Sequence, residues 1–126
     1  MQHILLIEDD ALVALGLSMT LKQPGSRVSH ATNGQEGFDI YHRERVDLVI
    51  TDLNMPVMDG YAIIRTLREE SPEIKIVVAA GVDRTKIEDC LRSMGITSIL
   101  TKPIGPTKLI NTVCEALDVG LVPDQV

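Results

Sequence analysis

The chain has 126 residues, a formal net charge of −6, 44% hydrophobic residues and only 2% aromatic ones. That size suits one domain whose core is built from Leu, Ile and Val. The absence of a Lys/Arg cluster argues against a nucleic-acid footprint, and no apolar run approaches the roughly 18 residues of a membrane span. No charged-then-apolar leader precedes the first apolar run, so a soluble, cytoplasmic protein is expected. Cys90 and Cys114 lack CxxC spacing and read as two buried, reduced thiols.

In chain order, His3 to Ile7 (HILLI) predicts a first strand, ending in Glu8, Asp9 and Asp10. Asp10 is placed to cap the next helix, where acids favour the N-terminus. That helix carries two apolar stripes. Leu12, Leu15 and Met19 form one, and Val13, Leu17 and Leu21 the other. One stripe faces the sheet; the second, read as Val13, Leu17 and Leu21, either docks against a partner helix or packs in part against the last helix, its neighbour in this topology. Pro24-Gly25 ends the helix. Arg27 to Ala31 predicts a weak second strand near a sheet edge. Asn33 to Glu36 has capping-box spacing and opens a helix to about Glu44, with Phe38, Ile40 and Tyr41 on its apolar side.

Val46 to Thr51 predicts a third strand, buried on both faces, with Asp52 at its carboxyl end. Asp59 caps a third helix whose inward residues are Ile63, Ile64 and Leu67, and Ser71-Pro72 closes it. Ile74 to Ala80 is the fourth strand. Thr85 to Met94 is the fourth helix, with Gly95 as its stop. Ile96 to Thr101 is the fifth strand, followed by Lys102-Pro103. Pro106 opens the last helix, with Leu109, Ile110 and Val113 inward. Residues 1–118 form one domain, and 119–126 a C-terminal tail or linker.

Strand–helix alternation of this kind means a parallel sheet covered on both faces. Right-handed crossovers favour an α/β, flavodoxin-like, doubly wound (βα)5 sandwich with strand order 2-1-3-4-5. In that order the first and third strands are neighbours, so Glu8, Asp9 and Asp52 converge on one crevice. Two carboxylates about 4 Å apart repel by on the order of 4 kcal/mol at an effective dielectric near 20, which calls for a cation. Oxygen ligands without His or Cys suit Mg²⁺ or Mn²⁺. The Asn54 carbonyl offers a further oxygen, and Lys102 brings an ammonium to the same rim. A carboxylate nucleophile, a divalent ion and a lysine suit phosphoryl transfer, with Asp52 becoming an aspartyl phosphate. His3, His30 and His42 show no ligand spacing and read as surface or strand-end residues.

The motifs ILLIEDD, DLVITDLNMPVMDGY and LTKPI, at their spacing, make the chain resemble a receiver domain of two-component response regulators, from about Met1 to Leu117. The resemblance implies that Asp52 accepts phosphate from a histidine kinase or a histidine phosphotransfer protein. It implies Mg²⁺ held by Asp9, Asp52 and the Asn54 backbone, with Glu8 assisting through water. It further implies that Lys102 contacts the phosphoryl group, that the Lys102-Pro103 bond is cis, and that a partner helix docks on the first helix. The state would then pass by contact to a downstream effector protein or a tethered output domain.

Two positions depart from the family pattern. Ala80 stands where receivers carry Ser or Thr, and Ile99 where they often carry Tyr or Phe. Both halves of the usual switch are missing, so a receiver-like module that works without phosphate is an alternative reading. A phosphatase with an aspartate nucleophile would want a second Asp at Asn54, so a turnover enzyme is not expected.

Overall fold

Successive side chains of a strand point to opposite faces of its sheet, and this alternation divides the core in two. The computed structural model describes residues 2–22, 26–53, 60–81, 85–96 and 98–117. Its strands are β1 (His3–Ile7), β2 (Arg27–Ala31), β3 (Leu48–Asp52), β4 (Lys75–Ala80) and β5 (Ser98–Thr101). Between and after them lie α1 (Ala11–Lys22), α2 (Gly34–Arg43), α3 (Gly60–Glu70), α4 (Thr85–Ser93) and α5 (Pro106–Leu117). The five strands pair in parallel in the order β2-β1-β3-β4-β5, the doubly wound arrangement read from the alternation.

Ile4, Leu6, Leu48, Ile50, Val77 and Leu100 pack under α1 and α5. Leu5, Ile7, Val49, Val78, Ala80 and Ile99 pack with residues of α2, α3 and α4. The buried residues of both clusters are aliphatic apart from Phe38, and each fully buried Leu or Ile contributes about 1.5–3 kcal/mol of transfer free energy.

Local signals fix the helix ends. The Asp10 carboxylate accepts from the Leu12 and Val13 N–H groups at 3.0 and 3.2 Å, the N-cap read from sequence. Asn33 caps α2 by accepting from the Glu36 N–H at 2.9 Å. Glu36 reaches back one residue further than a standard capping box, to the Thr32 N–H and hydroxyl. At the end of α4, Gly95 takes φ of 81°. Its N–H donates to the Arg92 carbonyl, and the Ile96 N–H to that of Leu91, which is a Schellman motif. The Arg68 guanidinium donates to the Met94 and Gly95 carbonyls beside it, and to those of Pro72 and Ile74. Burial keeps its pKa below the ordinary arginine value.

Three expectations need correction. Val13, Leu17 and Leu21 are not the outer stripe of α1. Leu17 and Leu21 are 7% and 1% exposed, and Val13 packs against the same core. Leu12, Leu15 and Met19 face solvent instead, at 81%, 57% and 59% exposure. Ala14 is buried with Leu17 and Leu21 in the cluster that also holds Leu109 and Val113 of α5, so this side of α1 faces inward. Cys90 is exposed on α4 rather than buried, and Cys114 is half-buried. β3 and β5 begin two residues later than the apolar runs suggest, because Val46 and Ile96 pack as loop residues against the core. Pro24-Gly25, Asp59 and the tail from residue 118 lie outside the described residues.

Candidate phosphoacceptor site

Strand parity builds the site. Glu8 extends the row Ile4-Leu6, Asp52 the row Leu48-Ile50, and Lys102 the row that contains Leu100. All three rows face α1 and α5, so the three side chains leave the sheet on the same side. β1 and β3 pair as far as Ile7 and Thr51, which sets Glu8 beside Asp52 on strands about 4.8 Å apart. β4 and β5 pair as far as Ala80 and Thr101, and the Lys102 N–H donates to the Ala80 carbonyl at 2.8 Å. The Lys102-Pro103 peptide is cis, as the resemblance implies.

The close start of α3 depends on Gly60. A Cβ there would lie 2.5 Å from the Asp52 carbonyl and 2.6 Å from Leu53 Cα, so no other residue fits without shifting the backbone under Asp52.

Asp52 is 3% exposed and Glu8 1%. The Lys102 ammonium donates to Asp52 Oδ2 at 2.7 Å and lies 3.4 Å from Glu8 Oε1. Asp9 is exposed at the rim, and carboxylate oxygens of Glu8, Asp9 and Asp52 all lie within 4.8 Å of one another. Burial, first, pushes the Glu8 carboxyl above its ordinary value; the charge on Asp52 and a hydrogen bond with Asp9 add to this. The Asp10 N–H, 3.1 Å from Glu8 Oε2, and the Lys102 charge pull the other way. Burial works against the Lys102 ammonium, but its hydrogen bond to Asp52 and the Asp52 and Glu8 charges outweigh that and leave its pKa raised. Glu8, Asp9, Asp52 and Lys102, singled out from the sequence, are therefore brought together. Asn54 lies outside the described residues.

This crevice, at the carboxyl ends of parallel strands, holds acids from two strands and a lysine from a third. The model of the response regulator receiver domain matches residues 4–114. The chain belongs to the response regulator receiver domain family. Receiver domains are signalling modules of two-component systems, and this acidic cluster is compatible with their Mg²⁺. The receiver is 35% identical over 110 residues to the cell cycle response regulator CtrA of Brucella ovis, covering 86% of this chain and 47% of that protein. It thus spans about half the length of the curated relatives it matches. Among solved structures it resembles the Vibrio cholerae chemotaxis protein CheY4, with TM-score 0.88 and 28% identity over 93% of this chain and 99% of that one. It also resembles the receiver domain of a signal transduction histidine kinase from Syntrophus aciditrophicus, with TM-score 0.84 and 28% identity over 94% and 91%.

The two departures from the family pattern share the other face of the sheet. Ala80 and Ile99 are buried with the residues of α2 to α4, on the side away from the Glu8, Asp52 and Lys102 side chains. Sequence reading missed His3, which is 4% exposed and bonded through both ring nitrogens, to the Arg45 carbonyl and the Ser29 hydroxyl, each at 2.7 Å. A histidine opening an otherwise aliphatic strand was the available signal. Among the described residues, no helix is long and apolar enough to cross a membrane.

Proposed function

We propose that this receiver accepts a phosphoryl group on Asp52 from a phosphohistidine of a histidine kinase or a phosphotransfer protein. The observation that carries the reading is Lys102 Nζ at 2.7 Å from a buried Asp52 carboxylate. In the transfer, an Asp52 carboxylate oxygen attacks phosphorus and forms the O–P bond. The P–N bond breaks, its electrons stay on the donor imidazole, and that nitrogen takes a proton from solvent. Lys102 holds the acceptor oxygen and then follows the charge onto the phosphoryl oxygens. Glu8, Asp9 and Asp52 would hold a divalent cation of the Mg²⁺ class, which when bound offsets the crowded carboxylates and screens the group being transferred. Asn54 would add its carbonyl. No turnover of an outside substrate is involved, and the phosphorylated state passes by contact to an effector or an attached output domain.

Incubation with a small acyl phosphate and Mg²⁺ tests this directly. An acid-stable, base-labile label on the parent and none on Asp52→Ala is the expected result; an unlabelled parent overturns the reading.

Ala80 favours a second reading, a module that binds its partner without a phosphate-driven switch. A hydroxyl bond to a charged group is worth about 1.5–3 kcal/mol, and Ala80 cannot make one. Phosphorylation adds roughly −1.5 to −2 charges near pH 7, yet here it should shift the fold less than in receivers with a hydroxyl. An Ala80→Ser variant should then show a larger phosphorylation-dependent shift in NMR spectra than the parent. Equal shifts would remove this second reading.

A further inference from the structure

In a parallel ladder a strand turns the N–H and C=O of every second residue toward the same neighbour. Glu8 is the residue after β1 that turns both toward β2. Its N–H donates to the Ala31 carbonyl at 2.9 Å, one step beyond the last pair, Ile7 and Ala31. Its carbonyl would next accept from the Asn33 N–H. By then β2 has ended at Ala31, and Asn33 has become the N-cap of α2. The ladder therefore leaves the Glu8 carbonyl without its regular donor.

A side chain takes that place. His30 Nε2 lies 2.8 Å from the Glu8 carbonyl oxygen. A carbonyl only accepts, so Nε2 carries the proton and donates. His30 pairs in register with Leu6 and continues the row of Val28, which packs with the cluster under α1. It leaves the sheet on the same side as Glu8 and Asp52.

The carbonyl that His30 holds belongs to the peptide joining Glu8 to Asp9. The next joint of this turn is already tied, because the Asp10 N–H lies 3.1 Å from Glu8 Oε2 and the Asp10 carboxylate caps α1. Asp9 is exposed at the rim, with a carboxylate oxygen within 4.8 Å of those of Glu8 and Asp52. Rotation of the Glu8–Asp9 peptide would swing that oxygen out of the cluster.

We propose that His30 is a positioning residue of the cation site: by holding the Glu8–Asp9 peptide, it keeps the Asp9 carboxylate turned toward an ion shared with Glu8 and Asp52. This deepens the phosphoacceptor reading above and rests on its cation site. The imidazole acts through the main chain and is not itself a ligand.

The test measures Mg²⁺ binding to the full chain by titration calorimetry, beside labelling by a small acyl phosphate at saturating Mg²⁺. His30→Phe keeps a ring and loses the donor, whereas His30→Gln keeps an N–H at similar reach. Loss of one ordinary hydrogen bond should raise the Mg²⁺ dissociation constant of His30→Phe about three- to tenfold. That of His30→Gln should stay within about twofold of the parent, as should labelling at saturating Mg²⁺ in both variants, since the reacting groups are untouched. An unchanged dissociation constant in His30→Phe overturns the proposal, even where the metal-free Tm falls, because a bond that merely braces the fold behaves that way. An equal loss in His30→Gln overturns it too, by assigning the effect to the ring's packing. His30→Ala takes the place of His30→Phe, with the same expected loss, should the larger ring unfold the domain. A parent that binds no Mg²⁺ also overturns it. A parent that binds Mg²⁺ but takes no label removes the phosphoacceptor reading instead, and the dissociation constants still decide the role of His30.

Discussion

The two rims of the sheet treat charge in opposite ways. At the carboxyl-end rim, carboxylates of Glu8, Asp9 and Asp52 crowd together, and the Lys102 ammonium pairs with the two that are buried, Glu8 and Asp52. At the opposite rim, polar groups close onto one another. Asp47 accepts the His3 N–H at 2.8 Å, His3 bridges to Arg45 and Ser29, and Glu44 takes both Arg27 and Arg43. The lower rim is built mainly for stability: buried His3 has found partners for its N–H and both ring nitrogens, and only the buried Ser26 hydroxyl lacks one among the described residues. The upper rim holds more negative charge than its lysine can offset. Such an excess persists where function needs it, and here it suits a cation and a transferred phosphoryl group.

The largest test of that contrast is Asp52→Ala. It should abolish aspartyl-phosphate labelling altogether while the domain still unfolds cooperatively in urea. Residual label at another carboxylate would move the functional centre away from Asp52. At the lower rim the effects should be reversed. His3→Ala leaves the Arg45 carbonyl and Ser29 hydroxyl without their partner and opens a cavity, and should cost about 2–4 kcal/mol in urea denaturation. Its labelling rate should stay within about twofold of the parent. A large loss of labelling would mean that the two rims are coupled.

Smaller effects sharpen the comparison. Asp9→Asn removes one of the crowded charges and should raise the Tm of the EDTA-treated protein by about 2–4 °C. Added Mg²⁺ should stabilise the parent more than this variant, because the variant has lost a ligand oxygen. A metal-free Tm that falls instead would show that Asp9 holds the fold rather than straining it. The smallest effect belongs to Glu36, an upper-rim acid that is fully partnered. Its carboxyl titrates below the ordinary value because the Thr32 N–H, and then its hydroxyl, donate to it. A lowered acid stabilises the fold above its unfolded value, 4.5, and loses that contribution as pH falls through the folded value. Thr32→Ala should move the Glu36 titration part of the way back up in carbon-13 NMR; no movement would assign the shift to the backbone N–H alone.

Much of this was open to reading from residues in line. Short unbroken apolar runs in HILLI and DLVIT, followed each time by acids, point to parallel strands buried on both faces with carboxylates at their ends. Asp10 and Asn33 announce helix starts because their short side chains reach their own backbone two and three residues on. Glu8, Asp52 and Lys102 could be joined in thought because neighbouring parallel strands end at one rim. These are local effects, or effects of a topology that has few alternatives.

Other features needed the packed chain. α1 is apolar on two stripes, so its periodicity alone left two orientations open; the buried cluster that joins Ala14, Leu17 and Leu21 to the sheet and to Leu109 and Val113 of α5 chose between them. The same choice turned Leu12, Leu15 and Met19 outward. His3 reads as an ordinary strand-end residue until β2 and the turn before β3 close over it. Ala80 and Ile99 declare a missing hydroxyl and a missing ring in sequence, but only the sheet's parity places them on the face away from Asp52. Local hydrogen bonding and alternation act within a few residues, whereas the facing of a helix is decided by partners distant in the chain.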